Sequence, residues 1–101
     1  MRLNELRQIG LFFNQLVDTN NGKNPRTEEE FINFIKRDSN SIAEAIKDKY
    51  YILNLKVNMR DASAVIAYES LMDQGGYQSV RVDCSVSPIP IDELKKLVLQ
   101  P

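Results

Sequence analysis

Apolar residues recur every three or four positions at the start of the chain, which predicts an amphipathic helix over residues 3–18. The stripe runs through Leu6, Ile9, Phe13 and Leu16, and we expect these side chains to clamp the helix onto a sheet. Gly10 costs such a helix about 1 kcal/mol relative to alanine, and its missing side chain allows another element to approach closely. The stretch DTNNGKNP then predicts the helix end, because Asn and Gly accept left-handed backbone conformations and proline blocks renewed helix.

Two further stretches, TEEEFINFIKR and SIAEAIKDKY, predict short helices. Each begins with a capping-box pattern, Thr27 with Glu30 and Ser41 with Glu44. The expected buried faces are apolar positions at helical spacing: Phe31, Phe34 and Ile35 in the first helix, and Ile42, Ala45 and Ile46 in the second.

From residue 50 onward the pattern changes to alternation, which predicts strands over 50–57, 64–70 and 78–86. In the third strand we expect one set of side chains inward and the other outward; the inward set is Val80, Val82, Cys84 and Val86, and the outward set is Ser79, Arg81, Asp83 and Ser85. Pro88 and Pro90 are expected to end that strand. Apolar residues at helical spacing after Pro90 predict a final helix that docks onto the body.

This order predicts an α+β fold in a single domain, residues 1–101: three helices, three strands and one helix. Short connections favour an antiparallel sheet, since parallel neighbours need long crossovers. We expect a three-stranded sheet with the helices packed on one face.

Composition narrows the chemistry that the chain can perform. It has no histidine, one cysteine and a net charge of −1, so the usual general base, a zinc-ligand cluster and an internal disulfide are all absent. Charges of both signs are scattered, which disfavours nucleic acid as a partner. No apolar run approaches the roughly 20 residues of a membrane span, so the chain as given is expected to be soluble. We predict no catalytic residue and no cofactor.

Four carboxylates lie in or beside the expected loops around the second and third strands: Asp61, Glu69, Asp73 and Asp83. Calcium binds several oxygen ligands, and Asp73 and Asp83 are the weak candidates for such a site. The regular acidic spacing of an EF-hand loop is missing, so we expect solvated loop carboxylates rather than a metal centre.

Four tyrosines, at positions 50, 51, 68 and 77, allow two interpretations. They can form a stacking surface for a ligand, or they can be half-buried packing residues with a wet hydroxyl, which is the commoner arrangement on strands.

Two stretches carry a family resemblance. LRQIGLFFNQLVDTNNGKNP resembles the segment that follows the membrane-spanning half of the first helix in type IV pilin-like proteins. AVIAYESLMDQGGYQSVRVDCSVSPIPIDELKKL is similar to the C-terminal part of the prepilin-type processing-associated family, which has a Tyr-Glu strand end, a glycine pair, a strand ending in Asp-Gly-His and a Pro-Glu-Glu-Leu helix.

The family motif falls on Tyr68, Glu69, Gly75, Gly76 and Asp83. The chain departs from the motif at three positions. Asp73 and Ser85 stand where the family has histidines, and Cys84 stands where it has glycine.

The resemblance implies the headgroup of a pilin or pseudopilin, a structural subunit of a type IV pilus or type II secretion system. It also implies partners among other pilin-like subunits or secretion-machinery proteins. The implied location of the full-length protein is the periplasmic face of the inner membrane or an extracellular filament. A hydrophobic stem, missing from this chain, would continue the first helix upstream and anchor the protein in the membrane. The alternative is a small ligand-binding or adaptor module that uses the tyrosines and the Asp83 loop.

Overall fold

The computed structural model describes residues 2–70 and 77–98, and in this part of the chain it confirms the α+β class. The helices are α1 (Arg2–Thr19), α2 (Glu28–Ile35), α3 (Asn40–Lys47) and α4 (Ile91–Val98). The strands are β1 (Tyr51–Leu53), β2 (Val65–Glu69), β3 (Tyr77–Arg81) and β4 (Val86–Ile89). All neighbouring strands are antiparallel, in the order β1-β2-β3-β4.

Helix α1 ends as its sequence predicts. Asn21 and Gly22 both adopt left-handed backbone conformations, with φ of 59° and 87°. The Gly22 N–H donates to the carbonyl of Val17 at 2.8 Å, and the Asn21 N–H donates to that of Asp18 at 3.3 Å. This pair of bonds is the Schellman arrangement, which satisfies carbonyls that the last turn of a helix leaves without partners.

The two short helices differ in how they begin. The Glu30 N–H donates to the Thr27 hydroxyl oxygen at 3.1 Å, so the predicted cap of α2 is confirmed. The prediction for α3 is wrong, because Ser39 takes the N-cap position and Ser41 lies inside the helix. The Ala43 N–H donates to the Ser39 carbonyl at 3.1 Å, which starts the helix earlier than the capping-box pattern indicates.

The buried faces of these helices largely follow the expected spacing. Phe31 and Ile35 are buried in α2, and Phe34 is half-buried. In α3 the buried residues are Ile42, Ala43 and Ile46, so Ala43 takes the place predicted for Ala45.

The predicted third strand is two strands. Residues 78–86 do not form one extended segment, because Cys84 has a φ of 68° and reverses the chain. The Cys84 N–H donates to the Arg81 carbonyl at 2.8 Å, and the Arg81 N–H donates to the Ser85 carbonyl at 3.0 Å. A tight turn followed by a left-handed residue is a common hairpin connection. The sheet therefore has four strands in the described residues, where three were expected.

The predicted first strand is also shorter than expected. Its ladder ends after Leu53, and the Val57 N–H turns back to the Asn54 carbonyl at 3.2 Å. The amide of Asn24 donates to the carbonyls of Leu55 and Val57, at 3.0 and 2.8 Å. These carbonyls face the turn after α1 instead of a neighbouring strand, so the segment cannot continue as a strand.

Pro88 lies within β4, opposite Gln78, so the prediction that Pro88 ends the strand is wrong. Strand β4 is at the edge of the sheet. Proline is tolerated on an edge strand because its missing N–H can face away from the neighbouring strand.

The helices cover both faces of the sheet, so the expectation that all of them share one face is wrong. Helices α1, α2 and α3 pack with Ile66, Ala67 and Val80 in the larger core. Helix α4 packs through Leu94 against Val65 and Ile89 in a second cluster. Adjacent strand residues normally face opposite sides, but a bulge at residue 66 places both Ile66 and Ala67 in the larger core.

Candidate functional site

The seat of α1 on the β3–β4 hairpin is the best-defined contact between a helix and the sheet. Gly10 is buried in α1, and a Cβ atom added there would lie 2.8 Å from Val80 Cγ2 and 3.4 Å from Cys84 Sγ. A carbon atom cannot approach a buried methyl group at 2.8 Å without displacing it. Gly10 therefore allows α1 to lie directly on the hairpin, as the missing side chain suggested.

Asn14, one helical turn after Gly10, ties the same face of α1 to the hairpin turn. Its Nδ2 donates to the Gly10 carbonyl at 2.9 Å and to the Val82 carbonyl at 3.1 Å, and it lies 3.8 Å from Cys84 Sγ. One side-chain amide thus holds two backbone segments that are far apart in sequence. We define the α1 seat as Gly10, Asn14, Val80, Val82 and Cys84.

Cys84 has a structural place in the seat. Its φ of 68° lies in the region that favours glycine. Burial, and secondarily the charge of Asp83, raise the pKa of the Cys84 thiol, while Arg7 acts in the opposite direction. A raised pKa keeps the thiol protonated at neutral pH, which makes it a poor nucleophile.

A second tie joins the first turn of α1 to the opposite edge strand. The buried Tyr51 hydroxyl in β1 donates to Glu5 Oε1 at 2.8 Å. Burial, followed by the hydrogen bond to Glu5, raises the pKa of Tyr51 far above its ordinary value. The tyrosine is therefore a neutral donor at all physiological pH values.

Glu69 lies directly opposite Tyr51 in the β1–β2 pair and is 1% exposed. Paired residues of adjacent strands share a face, so Glu69 is on the α1 side of the sheet. The expectation that it is a solvated loop carboxylate is wrong, because β2 extends through residue 69.

Asp83 and Asp61 are exposed and each accepts from its own nearby serine. Asp83 Oδ1 accepts from the Ser85 hydroxyl at 2.6 Å and from the Ser85 N–H at 2.9 Å. Asp61 Oδ1 accepts from the Ser63 hydroxyl at 2.8 Å and from the Ser63 N–H at 3.0 Å. These bonds, led by that of the serine hydroxyl, lower the pKa of both carboxyl groups. Both side chains thus close turns.

The two turns are also joined to each other through backbone bonds and Arg81. The Val82 N–H donates to the Ala64 carbonyl at 2.9 Å, and the Asp83 N–H donates to the Ala62 carbonyl at 3.1 Å. Arg81 Nη1 donates to the Ser63 carbonyl and lies 3.6 Å from Glu93 Oε1 in α4. The hairpin end therefore contacts α1 on one side and α4 on the other.

The carboxylates proposed for calcium do not form a described metal site. Within residues 2–70 and 77–98, no group of three or more His, Cys, Asp or Glu side chains could hold a metal ion. Asp73 and the motif glycines Gly75 and Gly76 lie outside the described residues.

The four tyrosines do not form one surface. Tyr51 is buried towards α1, and Tyr50 makes an edge-on contact with it at a ring distance of 5.2 Å. Tyr68 and Tyr77 are half-buried on the other face, beside the cluster around Leu94. Burial raises the pKa of Tyr68. Their placement therefore agrees with the interpretation that they are packing residues rather than a single stacking surface for a ligand.

A groove of about 550 Å³ lies between α2 and α3. Ile32 and Ala43 contribute apolar surface to it, while Glu28, Lys36 and Lys47 are among its charged lining. Lys49 also lines the groove, and its Nζ forms an ion pair of 2.7 Å with Glu28 Oε1. Its volume is in the range of small-ligand sites.

The four predicted clamp residues, Leu6, Ile9, Phe13 and Leu16, are all buried in the larger core. Sequence reasoning missed Asn14 and Glu5, which make the polar ties of α1. The available signal was their position, since each adjoins the apolar stripe in the sequence. The Tyr51 hydroxyl that bonds Glu5 lies 46 positions away along the chain, and the Val82 carbonyl that accepts from Asn14 lies 68 positions away. No local pattern reveals either partner.

No described helix is long and apolar enough to cross a membrane. Comparisons of this chain with protein-family models, with curated proteins and with solved structures returned no match.

Proposed function

We propose that this chain is the headgroup of a pilin-like or pseudopilin subunit, with a structural and assembly role that needs no catalytic residue. The observation that carries the proposal is the α1 seat. An N-terminal helix lies against an antiparallel sheet, with Gly10 in direct contact with Val80 and Asn14 bonded to the hairpin turn. A rigid contact of this kind is needed in a subunit whose helical stem fixes the position and orientation of its outer domain.

The joint is fixed at separated points along α1. Glu5 binds Tyr51 on strand β1, and Asn14 binds the β3–β4 turn. Strand β1 is one edge of the sheet, and the β3–β4 hairpin contains the other edge strand, β4. Two anchors on separate parts of the sheet resist rotation of the helix across it, whereas apolar packing alone is non-directional.

The backbone of the hairpin turn supports the family resemblance. Cys84 stands where the prepilin-type processing-associated family has glycine, and its φ is 68°. Only glycine adopts this conformation without steric cost. The local chain path is therefore one that the Asp-Gly of the family would favour, although cysteine occupies it here.

The outer face of α1 offers a surface to neighbouring subunits. Leu11 is 49% exposed near the middle of that face, with the polar side chains of Gln8 and Gln15 exposed on either side. Under this proposal the partners are other pilin-like subunits or secretion-machinery proteins. The full-length protein is placed at the periplasmic face of the inner membrane or in an extracellular filament, anchored by a stem upstream of α1.

The test follows the full-length protein in its own cells. A tag after the C-terminus is introduced into the chromosomal gene, and the mature protein is analysed by mass spectrometry in membrane, periplasmic and sheared-filament fractions. We expect an upstream segment of about 20 apolar residues and a leader that is removed only in cells with an active prepilin peptidase. An unprocessed protein confined to the cytoplasm would contradict the proposal.

A matched pair of variants asks whether the seat matters for assembly. Gly10→Leu fills the contact with Val80, and Thr19→Leu adds the same side chain to an exposed position at the end of the same helix, two turns beyond Leu11. We expect Gly10→Leu to reduce incorporation into the assembled fraction more than Thr19→Leu, at equal cellular protein levels. Equal incorporation of the two variants would remove the assigned role of the seat.

A second candidate, a small ligand-binding or adaptor module, is favoured by the groove between α2 and α3. Its apolar floor at Ile32 and Ala43 and its charged rim suit a small amphipathic ligand. NMR titration with a library of such compounds tests it. Shifts confined to α2 and α3, and abolished by Ala43→Phe, would favour this function, and no shift at millimolar ligand would dismiss it.

A further inference from the structure

The turn after α1 presents an exposed Asn-Gly pair. Asn21 and Gly22 are both exposed, and no heavy atom beyond Gly22 and its two chain neighbours lies within 4 Å of the position that a Gly22 Cβ would occupy. A glycine offers no side chain to hinder reaction at its own nitrogen. The asparagine side chain is thus open to solvent, and no side chain at Gly22 shields the amide nitrogen that follows it.

This pair can undergo deamidation without an enzyme. The Gly22 amide nitrogen loses its proton to a base in solution and attacks the Asn21 side-chain carbonyl carbon. The bond from that carbon to the side-chain nitrogen breaks, and ammonia leaves with a proton from water. Water then opens the five-membered succinimide at one of its two carbonyls, giving aspartate or isoaspartate. The net change is uptake of one water and loss of one ammonia, with no oxidation or reduction.

We infer that Asn21 is the deamidation site of this chain and that the Schellman cap of α1 controls its rate. The attacking group, the Gly22 N–H, is bonded to the Val17 carbonyl at 2.8 Å. The Asn21 N–H is bonded to the Asp18 carbonyl at 3.3 Å. The nitrogen must leave this cap before it can attack, so reaction in the folded chain requires local opening of the end of α1.

The products disturb the element that controls the reaction. Isoaspartate adds a methylene group to the main chain. The Gly22 N–H is then displaced from the Val17 carbonyl, and their hydrogen bond is lost. Aspartate adds a negative charge at the C-terminal end of α1, where the helix dipole disfavours it and Asp18 is already near. The same turn leads to Asn24, whose amide holds the carbonyls of Leu55 and Val57. Modification at Asn21 therefore loosens the attachment between α1 and the loop after β1.

The chain provides an internal reference at Asn40–Ser41. Both of these residues are exposed, and the residue after the asparagine is again small. The pair lies inside α3 rather than after a helix end, and serine carries a side chain that hinders attack. Its rate measures the background in the same sample.

The experiment incubates the purified chain at mildly alkaline pH, folded and in concentrated urea, and maps peptides by mass spectrometry in ¹⁸O-labelled water. In urea we expect Asn21 to convert faster than Asn40, with label and an isoaspartate-containing product. In the folded chain we expect conversion of Asn21 to be several-fold slower, consistent with the loss of a backbone hydrogen bond before reaction. Equal folded and unfolded rates, or no preference for Asn21 in urea, would overturn the inference.

One single variant and one matched pair of variants separate the role of the Asn21–Gly22 pair from that of the helix cap. Asn21→Gln should abolish the reaction at this turn, because glutamine must form a larger ring. Thr19→Gly weakens the last turn of α1 without touching the pair, whereas Thr19→Ala keeps it helical. We expect Thr19→Gly to raise the folded rate several-fold over Thr19→Ala, with equal rates in urea. If hydrogen exchange shows faster opening of the Gly22 amide in Thr19→Gly but deamidation is unchanged, control by the cap is disproved.

Discussion

The two faces of the sheet differ in the size of the buried apolar cluster that covers them. On the α1 face, the described residues include a continuous core from α1 through α2 and α3 to Ile66 and Val80. On the α4 face, the described buried cluster is Val65, Ile89 and Leu94, with two half-buried tyrosines beside it. Because hydrophobic stabilisation scales with the apolar area removed from water, the α1 face carries most of the stability of the described fold.

The faces also differ in how their helices are oriented. Helix α1 has polar ties at Glu5 and Asn14 in addition to its apolar stripe. Helix α4 has the longer ion pair from Glu93 to Arg81, with the Glu93 side chain 46% exposed, and exposed pairs of this kind contribute little. Helix α1 is therefore fixed in position by both packing and polar bonds, whereas α4 is the helix expected to detach first.

The largest expected effect is Phe13→Ala on the α1 face. The Phe13 ring is fully buried and lies 5.6 Å from the Phe31 ring. Its truncation should lower the free energy of unfolding by about 3–5 kcal/mol, measured by urea denaturation. The matched change on the other face, Leu94→Ala, should cost about 2 kcal/mol, the lower end for a buried leucine. A loss for Leu94→Ala as large as that for Phe13→Ala would contradict the inference that the α1 face carries most of the stability.

Gly10→Ala should destabilise the fold although alanine favours a helix. The helix gains about 1 kcal/mol, but the new methyl group meets the buried Val80 side chain at 2.8 Å. Overpacking of this kind costs about 1–3 kcal/mol, so a net loss of about 1 kcal/mol is expected from thermal or urea unfolding.

A double-mutant cycle identifies the cause. In a Val80→Ala background the clash is removed, and Gly10→Ala should become neutral or stabilising there. The same loss in both backgrounds would show that the seat is not the reason that glycine occurs at this position.

Asn14→Ala tests the polar lock on α1. The change removes the bonds of the amide to the Gly10 and Val82 carbonyls and leaves the Val82 carbonyl without this donor, which should cost about 1–2 kcal/mol. Hydrogen exchange should accelerate at the β3–β4 turn. Gln15→Ala, next to it on the exposed side of α1, should stay within about 0.5 kcal/mol. If the two variants are equally stable, α1 is oriented by packing alone.

The smallest expected effect is the pH dependence of the stability that Asp83 contributes at the end of the β3–β4 hairpin. The lowered pKa of Asp83 means that the unfolded chain binds more protons than the folded chain near and below pH 3.8, the ordinary value. The associated stability is present above that pH and is lost as the pH falls through the lower pKa of the folded state.

Ser85→Ala removes the first cause of this shift. The pKa of Asp83 should rise towards its ordinary value, followed by NMR titration of the side-chain carboxyl carbon. Ser63→Ala is the matched control, because it should move the pKa of Asp61 and leave that of Asp83 in place. An unchanged pKa of Asp83 in Ser85→Ala would show that the serine hydroxyl does not stabilise the carboxylate.

Local sequence patterns correctly predicted the position of α1, its buried face and its end, and the start of α2. The apolar stripe predicted α1 and its buried face, Asn21 and Gly22 predicted its end, and Thr27 predicted the start of α2. Each of these depends on interactions within a few residues, such as helical spacing, a left-handed cap or a bond from a side chain to the next turn. The residues that make such interactions are close together in the sequence, so the sequence pattern predicts them.

The tertiary structure decided what those patterns leave open. Alternation continues through Cys84, so the sequence alone does not reveal that this residue turns the chain and makes two strands from one. The bulge at Ile66, the burial of Glu69 and the placement of α4 on the second face depend on which strand and helix meet. The donor to Glu5, the Tyr51 hydroxyl, and the distant acceptor of Asn14, the Val82 carbonyl, come from the second half of the chain. Alternation of apolar and polar residues along a strand predicts which side chains share a face. It does not specify which distant segment covers that face, because the covering segment depends on the packing of the whole molecule.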